Sequence, residues 1–204
     1  MLRYFLDPAN AITASGVILS GIALSLAIDR RIELAVAIAL WAMLADHLDG
    51  IVARRLRNRS ETAGKIGKNL DGFSDLIYGA VFPSITLLQL HGVSPLSAAL
   101  GTMLLVAGAL RLSYFGVFGL SADRYFSGLP LSYDVPLLAL LVLAEPFVVQ
   151  PVFSWLLLGT FAALSLLHVS PIPVPAPRRL MYIAILLFSV AASAALTIRA
   201  MISA

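Results

Sequence analysis

Long apolar runs separated by short polar stretches dominate the chain. Ala11 to Ile28, Ile32 to Arg54, Gly67 to Leu90, Leu96 to Val117, Tyr133 to Val149, Pro151 to Val169 and Leu180 to Met201 each read as a membrane span at a rise of about 1.5 Å per residue. The pattern predicts an all-α, polytopic transmembrane helical bundle of seven spans, within a range of six to eight. A short N-terminal interfacial helix is expected over Met1 to Asn10, where Arg3, Tyr4 and Phe5 sit between Leu2 and Leu6. His91-Gly92-Val93-Ser94-Pro95 marks a turn, Glu145 to Pro151 a tighter one, and Ser170 to Arg179 carries four prolines. No low-complexity linker interrupts the series, so residues 1–204 are expected to form a single integral-membrane domain. No cleavable signal peptide is expected, because Asp7 and Pro8 precede a first apolar run that leads into further spans.

Composition supports this reading. With 60% hydrophobic and 12% charged residues, the chain is too apolar for a soluble domain of 204 residues. The absence of cysteine excludes disulfides, a thiolate nucleophile and cysteine-ligated metals, so any chemistry falls to carboxylates and hydroxyls. The net charge is only +3, but basic residues crowd between Arg54 and Lys68, which suits phosphate or anionic headgroups better than nucleic acid. Placing that loop in the cytoplasm puts eleven of the fourteen basic residues on that side, leaving Arg30, Arg31 and Arg199 outside.

One polar stretch departs from the apolar pattern. Asp46, Asp49, Asp71 and Asp75 are four of the eleven acidic residues, and all four fall at the ends of adjacent spans that meet at one membrane face. Unpaired near the middle of a bilayer, four ionised aspartates would cost about 10 to 14 kcal/mol. Bound hard cations would offset this, and clustered carboxylates favour magnesium, manganese or calcium. On a helix Asp46, Asp49, Gly50, Ala53 and Arg54 fall within roughly 140° of one face, and Gly67, Asp71 and Asp75 form a stripe spaced by four. Such a pair of helices suits two divalent metals clamping a phosphoryl group, with Arg54 neutralising further phosphate charge. Two alternatives stand beside this reading. Buried Asp–Arg pairs could tie helices together, or the aspartates could belong to a cation transporter, although transport sites sit nearer the midplane.

The pattern Asp46-x2-Asp49-Gly50-x2-Ala53-Arg54, a spacer, then Gly67-x3-Asp71-x3-Asp75 resembles the motif of the CDP-alcohol phosphatidyltransferases, fixing eight residues over thirty positions. The resemblance implies a CDP-diacylglycerol-dependent phosphatidyltransferase of phospholipid biosynthesis. In such an enzyme Asp46, Asp49, Asp71 and Asp75 bind two divalent cations, magnesium or manganese, and Asp75 is the catalytic base. Gly50, Ala53, Arg54 and Gly67 would surround the cytidine nucleotide, joined by Asn10 and Thr13, which match an Asn-x-x-Thr at the start of the first span. It also implies an alcohol attacking the lipid-bearing phosphate with release of CMP, a homodimer, no nucleic-acid partner, and residence in a bacterial cytoplasmic membrane with the active site on the cytoplasmic side.

The acceptor is less sharply marked. Ala109-Leu110-Arg111-Leu112 and Tyr125-Phe126-x-Gly128-Leu129-Pro130 resemble phosphatidylserine synthases, although Ser113-Tyr114-Phe115-Gly116 replaces that branch's usual continuation. The twelve-residue spacer between Arg54 and Gly67 and Thr13-Ala14-Ser15-Gly16 resemble bacterial phosphatidylcholine synthases instead. Serine carries a carboxylate for which Arg111 or Arg124 would serve, with Tyr114 nearby. Choline would want an aromatic cage, from among Tyr78, Tyr114, Tyr125, Phe126 and Tyr133. Serine is the expected acceptor and choline the alternative. His47 is expected to pack or meet a headgroup, and His91 and His168 read as loop and helix-end residues.

Overall fold

Caps and prolines set the helix boundaries in the computed structural model, which describes residues 2–56 and 59–203. Met1 of the expected interfacial helix and Arg57 of the basic spacer lie outside them. Leu2–Leu6 forms a 3-10 helix, as the N-terminal pattern predicts. The Asp7 side chain then accepts from Asn10 N, and Pro8 occupies the first turn to open α1 (Pro8–Ile28), which is followed by α2 (Ile32–Arg55). Ser60 caps α3 (Glu61–Leu76) by accepting from Ala63 N at 3.2 Å, and Glu61 pairs with Lys65 at 2.6 Å one turn on. These local contacts start the helix six residues before the expected Gly67. A π-helical turn, Ile77–Val81, joins α3 to α4 (Phe82–His91), so Glu61–His91 is one continuous rod. The Ser94–Ser97 capping box and Pro95 start α5 (Pro95–Phe118).

Among the described residues, six helices are long and apolar enough to cross a membrane, the rod Glu61–His91 among them. The seventh expected span is different. In its place α6 (Asp134–Ala144) has 11 residues, about 16 Å of rise, and lies between the 3-10 turns Leu131–Tyr133 and Glu145–Phe147. Asp134 at its start and Pro146 just after its end limit its length. Val135, Leu138, Ala139 and Val142 are buried, so α6 packs inside the bundle, running from Asp134 beside His168 at the site end to Glu145 beside Arg199 and Glu33 at the other. The remaining helices are α7 (Gln150–His168) and α8 (Arg179–Ser203).

Small side chains draw the first two helices together: Ala23, Ala27, Ala35, Ala39 and Ala42 are fully buried along their seam. Leu40, Met43, Tyr78, Phe82, Leu104, Leu157 and Phe161 fill the centre. Trp155, Leu187 and Leu180 are strongly exposed, the apolar exterior expected of a lipid-facing bundle.

One element departs from the all-α expectation. Tyr125–Ser127 (β1) pairs antiparallel with Pro173–Pro175 (β2) in the register Phe126↔Val174. Gly128 N donates to Ile172 O at 3.0 Å and Ala176 N to Arg124 O at 3.0 Å, extending the ribbon past the two prolines, which have no N–H to give. Gly128 has φ +78, and a Cβ there would collide with the His168 carbonyl, so only glycine fits. The ribbon fixes the segment Phe126 to Leu131 across the mouth of the bundle, beside the carboxylate-bearing ends of α2 and α3.

Candidate active site

Asp46 and Asp49 stand one turn apart on α2 and face Asp71 on α3. Asp46, Asp49 and Asp71 each place a carboxylate oxygen within 4.8 Å of the others. Asp75 stands outside that group. The hydroxyl of Tyr78, in the π-helical turn, lies 2.6 Å from Asp75 Oδ1 and 3.1 Å from Asp46 Oδ2. One phenolic proton serves both contacts, so the Tyr78 hydroxyl donates to the nearer Asp75 oxygen in any one arrangement. A π-turn at such a place is a recurring way to re-aim side chains at functional sites.

The carboxylates are only partly satisfied. Thr13 donates its hydroxyl to Asp49 Oδ2, orienting that carboxylate from α1. Asp46 Oδ1 is buried with no hydrogen-bond partner. Among the described residues no lysine or arginine is ion-paired to any of the four, and the nearest basic atom is His47 Nδ1, 3.8 Å from Asp46 Oδ2. That nitrogen lies 2.9 Å from the Met43 carbonyl, to which it donates. Clustered hard oxygen donors, with one buried oxygen unpartnered, fit divalent cations such as magnesium or manganese.

Two cavities meet this cluster. A groove of about 180 Å³ runs from Asp49 and Asp71 past Gly50 and Ala53 to Gly64 and Gly67. A larger cavity of about 540 Å³ contains all four aspartates, Arg54 and Arg111 at its polar end. It continues along an apolar wall that includes Leu140 of α6 and Met181, Ile185 and Phe188 of α8. Arg111, on α5, is 6% exposed, lies over the rings of Phe115 and Phe126 at 5.6 and 5.4 Å, and has an Nε without a hydrogen-bond partner. It neither snorkels to an interface nor forms an ion pair with a described carboxylate.

The sequence model of the CDP-alcohol phosphatidyltransferase family matches residues 7–203. The chain belongs to this family. It is 28% identical to the phosphatidylcholine synthase of Agrobacterium fabrum over 86% of its own length and 73% of the relative's. It is 36% identical to the archaetidylserine synthase of Methanothermobacter thermautotrophicus over 52% of this chain and 45% of that protein. It is also 28% identical to the CDP-diacylglycerol–serine O-phosphatidyltransferase of Helicobacter pylori strain 26695, over 67% of this chain and 57% of that one. The chain thus spans only about half the length of the last two, and its relatives carry names of both the serine and the choline type.

The structure gathers most of the expected site residues. Thr13, Gly50, Ala53 and Gly67 line the smaller groove, and Arg54 the larger cavity. Asn10 is 1% exposed and spends its amide on Tyr4 O, Ala63 O and Arg59 instead of opening onto the groove. Two acceptor candidates are not brought to the cavity. Tyr114 is half-exposed and packs on Phe118 with centroids 4.5 Å apart, whereas Arg124 lines a separate groove with Arg178 and Arg179. Of the aromatic residues considered for a cage, Phe126 and Tyr133 reach the cavity, Tyr78 is fully buried and Tyr125 lines the Arg124 groove.

Other residues at or beside the site had no motif to mark them. Tyr78 lies three residues beyond Asp75, a helical spacing that was visible, but its second contact belongs to another helix. His168, expected as an ordinary helix-end residue, is fully buried, 2.9 Å from Asp134 Oδ2 and 2.8 Å from the Leu129 carbonyl, and so holds the Gly-Leu-Pro segment against α6. His47 lines the cavity and meets Tyr182 edge-on at 5.9 Å, in keeping with a packing role.

Proposed function

We propose that this phosphatidyltransferase moves the phosphatidyl group of CDP-diacylglycerol onto the hydroxyl of a small amino-alcohol, with serine as the favoured acceptor, and releases CMP. It does so as a homodimer of a single integral-membrane domain in a bacterial cytoplasmic membrane, with the active site on the cytoplasmic side. The observation that carries the serine reading is Arg111, a buried guanidinium that lines the same cavity as Asp75 and forms no ion pair with a described carboxylate. A guanidinium in a low-dielectric cavity is suited to the carboxylate of serine. It also opposes choline, because Arg111 already covers the Phe115 and Phe126 faces that a quaternary ammonium would use and repels a second cation there.

Asp46, Asp49 and Asp71, with Asp75 beside them, would hold the divalent cations, and these supply charge neutralisation to the pyrophosphate when bound. Asp75 accepts the acceptor's hydroxyl proton, oriented by the Tyr78 hydroxyl at 2.6 Å. The freed oxygen attacks the lipid-bearing phosphorus, a new P–O bond forms, and the bond to CMP breaks, leaving CMP with the electron pair. The apolar wall along Leu140, Ile185 and Phe188 suits the glycerolipid end, keeping the acyl chains in the bilayer while the phosphates reach the carboxylates. A choline acceptor is the second reading, favoured by the phosphatidylcholine synthase that aligns with 86% of this chain.

The test is CMP release from labelled CDP-diacylglycerol by the purified chain with magnesium or manganese, offered serine and choline in turn. Release with serine and formation of the matching lipid support the reading. Release with choline alone moves the acceptor to the second reading, and metal-independent release or none with either alcohol counts against the reaction.

A further inference from the structure

The spacer between Arg54 and Gly67 carries a side chain into the nucleotide groove from outside the eight-residue motif. Arg59 lines that groove. Its Nη2 donates to Asn10 Oδ1 at 2.5 Å and lies 3.2 Å from Asp7 Oδ1, the oxygen that also accepts from Asn10 N at 3.1 Å. Asn10 Nδ2 donates to Tyr4 O at 3.0 Å and to Ala63 O at 3.2 Å. Asn10 is thereby committed within the protein: it joins the N-terminal 3-10 helix, α1 and α3, and holds a guanidinium.

Gly67 makes this arrangement possible. A Cβ at that position would meet Asn10 Oδ1 and would lie 2.5 Å from Arg59 Nη2, so any larger residue would expel the guanidinium. Arg59 Nε is buried and has no hydrogen-bond partner. A guanidinium carries five N–H donors in a fixed plane, and the contacts to Asp7 and Asn10 use Nη2 alone. The two Nη1 donors therefore remain for a molecule in the groove, whereas Nε is enclosed by protein.

The position of those donors selects their target. Gly67 precedes Asp71 by four residues, about 6 Å of helix rise, so Arg59 lies about one turn beyond the carboxylates along the groove. A nucleotide whose phosphates lie at the carboxylates extends its ribose and base toward Arg59. Cytosine presents two adjacent acceptors, O2 and N3, whereas uracil carries a hydrogen on N3. A donor-only side chain accepts the first base and mismatches the second.

We propose that Arg59 is the residue by which this chain selects a cytidine nucleotide, its spare N–H groups donating to O2 and N3 of the base. Asp7 and Asn10 act through it as positioning residues. The proposal rests on the nucleotide reading of the groove, and the experiment separates the two.

Calorimetric titration of CMP and of UMP into the full chain in detergent micelles with manganese provides the test. The wild-type protein should bind CMP more tightly than UMP. Arg59→Gln should weaken CMP by about tenfold to a hundredfold and bring the two nucleotides toward equal affinity, with manganese binding in the absence of nucleotide unchanged. Arg59→Lys should lose the preference as well, because an ammonium lacks the planar fork, while it keeps the ion pair to Asp7. Asp7→Asn should lose part of it. If the wild-type chain binds neither nucleotide, the nucleotide reading falls and the selection role with it. If the wild-type chain prefers CMP and Arg59→Gln retains that preference, or weakens both nucleotides equally, the groove stands and Arg59 is not its selector. Should Arg59→Gln lose manganese binding through misfolding, Arg59→Lys decides in the same terms.

Discussion

The charge cluster around Arg199 and the one between α2 and α3 are built differently. Where α2, α6 and α8 meet, Arg199 Nη2 lies 2.8 Å from Glu145 Oε2 and 3.2 Å from Glu33 Oε1, and Nη1 donates to the Val142 carbonyl at 2.5 Å. Each carboxylate there meets the same guanidinium, and the side chains are about a quarter exposed. Between α2 and α3, Asp46, Asp49, Asp71 and Asp75 have no ion-paired arginine or lysine among the described residues, and a buried Asp46 oxygen has no partner at all. The first cluster is complete as the protein stands. The second has no such guanidinium in ion-pair contact among the described residues, and the difference separates an ion pair that ties helices from a donor set suited to divalent cations.

The contrast is open to test by substitution, and the largest effect belongs to the reaction. Asp75→Asn should lower CMP release by about 10²- to 10⁴-fold, the usual contribution of a general base, with the melting temperature of the purified protein unchanged. Full activity in that variant would remove Asp75 as the base. Arg111→Gln should raise the Michaelis constant for serine by about tenfold to a hundredfold with a smaller effect on kcat, measured by steady-state CMP release; an unchanged constant would mean that Arg111 does not meet the acceptor carboxylate.

Stability should respond with opposite signs in the two clusters. Without added metal, Asp46→Asn should leave the chain as stable as the wild type or more so by about 1–2 kcal/mol, since it removes an unpaired buried charge, whereas Arg199→Met should cost about 1–3 kcal/mol by orphaning two glutamates. Thermal unfolding of the two variants side by side checks this, and equal losses in both would erase the distinction. The smallest expected effect is that of Tyr78→Phe, about tenfold or less in turnover, because it removes one hydrogen bond that orients Asp75. A loss as large as that of Asp75→Asn would give Tyr78 a more direct part.

Much of this is legible in the sequence. The four aspartates, Gly50, Ala53 and Gly67 reveal themselves because helical spacings of three and four are local, and neighbouring antiparallel spans must bring their ends together. Five of the membrane-spanning helices follow from hydropathy alone, and the rod Glu61–His91 was foreseen from Gly67 on. What was hidden depends on contacts distant in sequence. The run Tyr133 to Val149 folds as an 11-residue helix between two 3-10 turns, a break in the helix that hydropathy does not reveal. The ribbon at Phe126 and Val174 joins segments nearly fifty residues apart and contains two prolines, a composition that argues against a strand. Arg124 and Arg111 look alike as candidates in the sequence, yet the ribbon turns Arg124 toward Arg178 and the packing of α5 turns Arg111 inward. Arg59 lay in a spacer whose length was readable and whose course was not.

Calorimetric titration of manganese into the chain, with Asp71→Asn and Arg199→Met measured alongside, tests most directly whether the carboxylates of α2 and α3 form a divalent-cation centre. The account predicts saturable binding in the wild-type protein, loss of it in Asp71→Asn, and its retention in Arg199→Met. Indistinguishable binding by the wild-type chain and Asp71→Asn, or none by either, would contradict it.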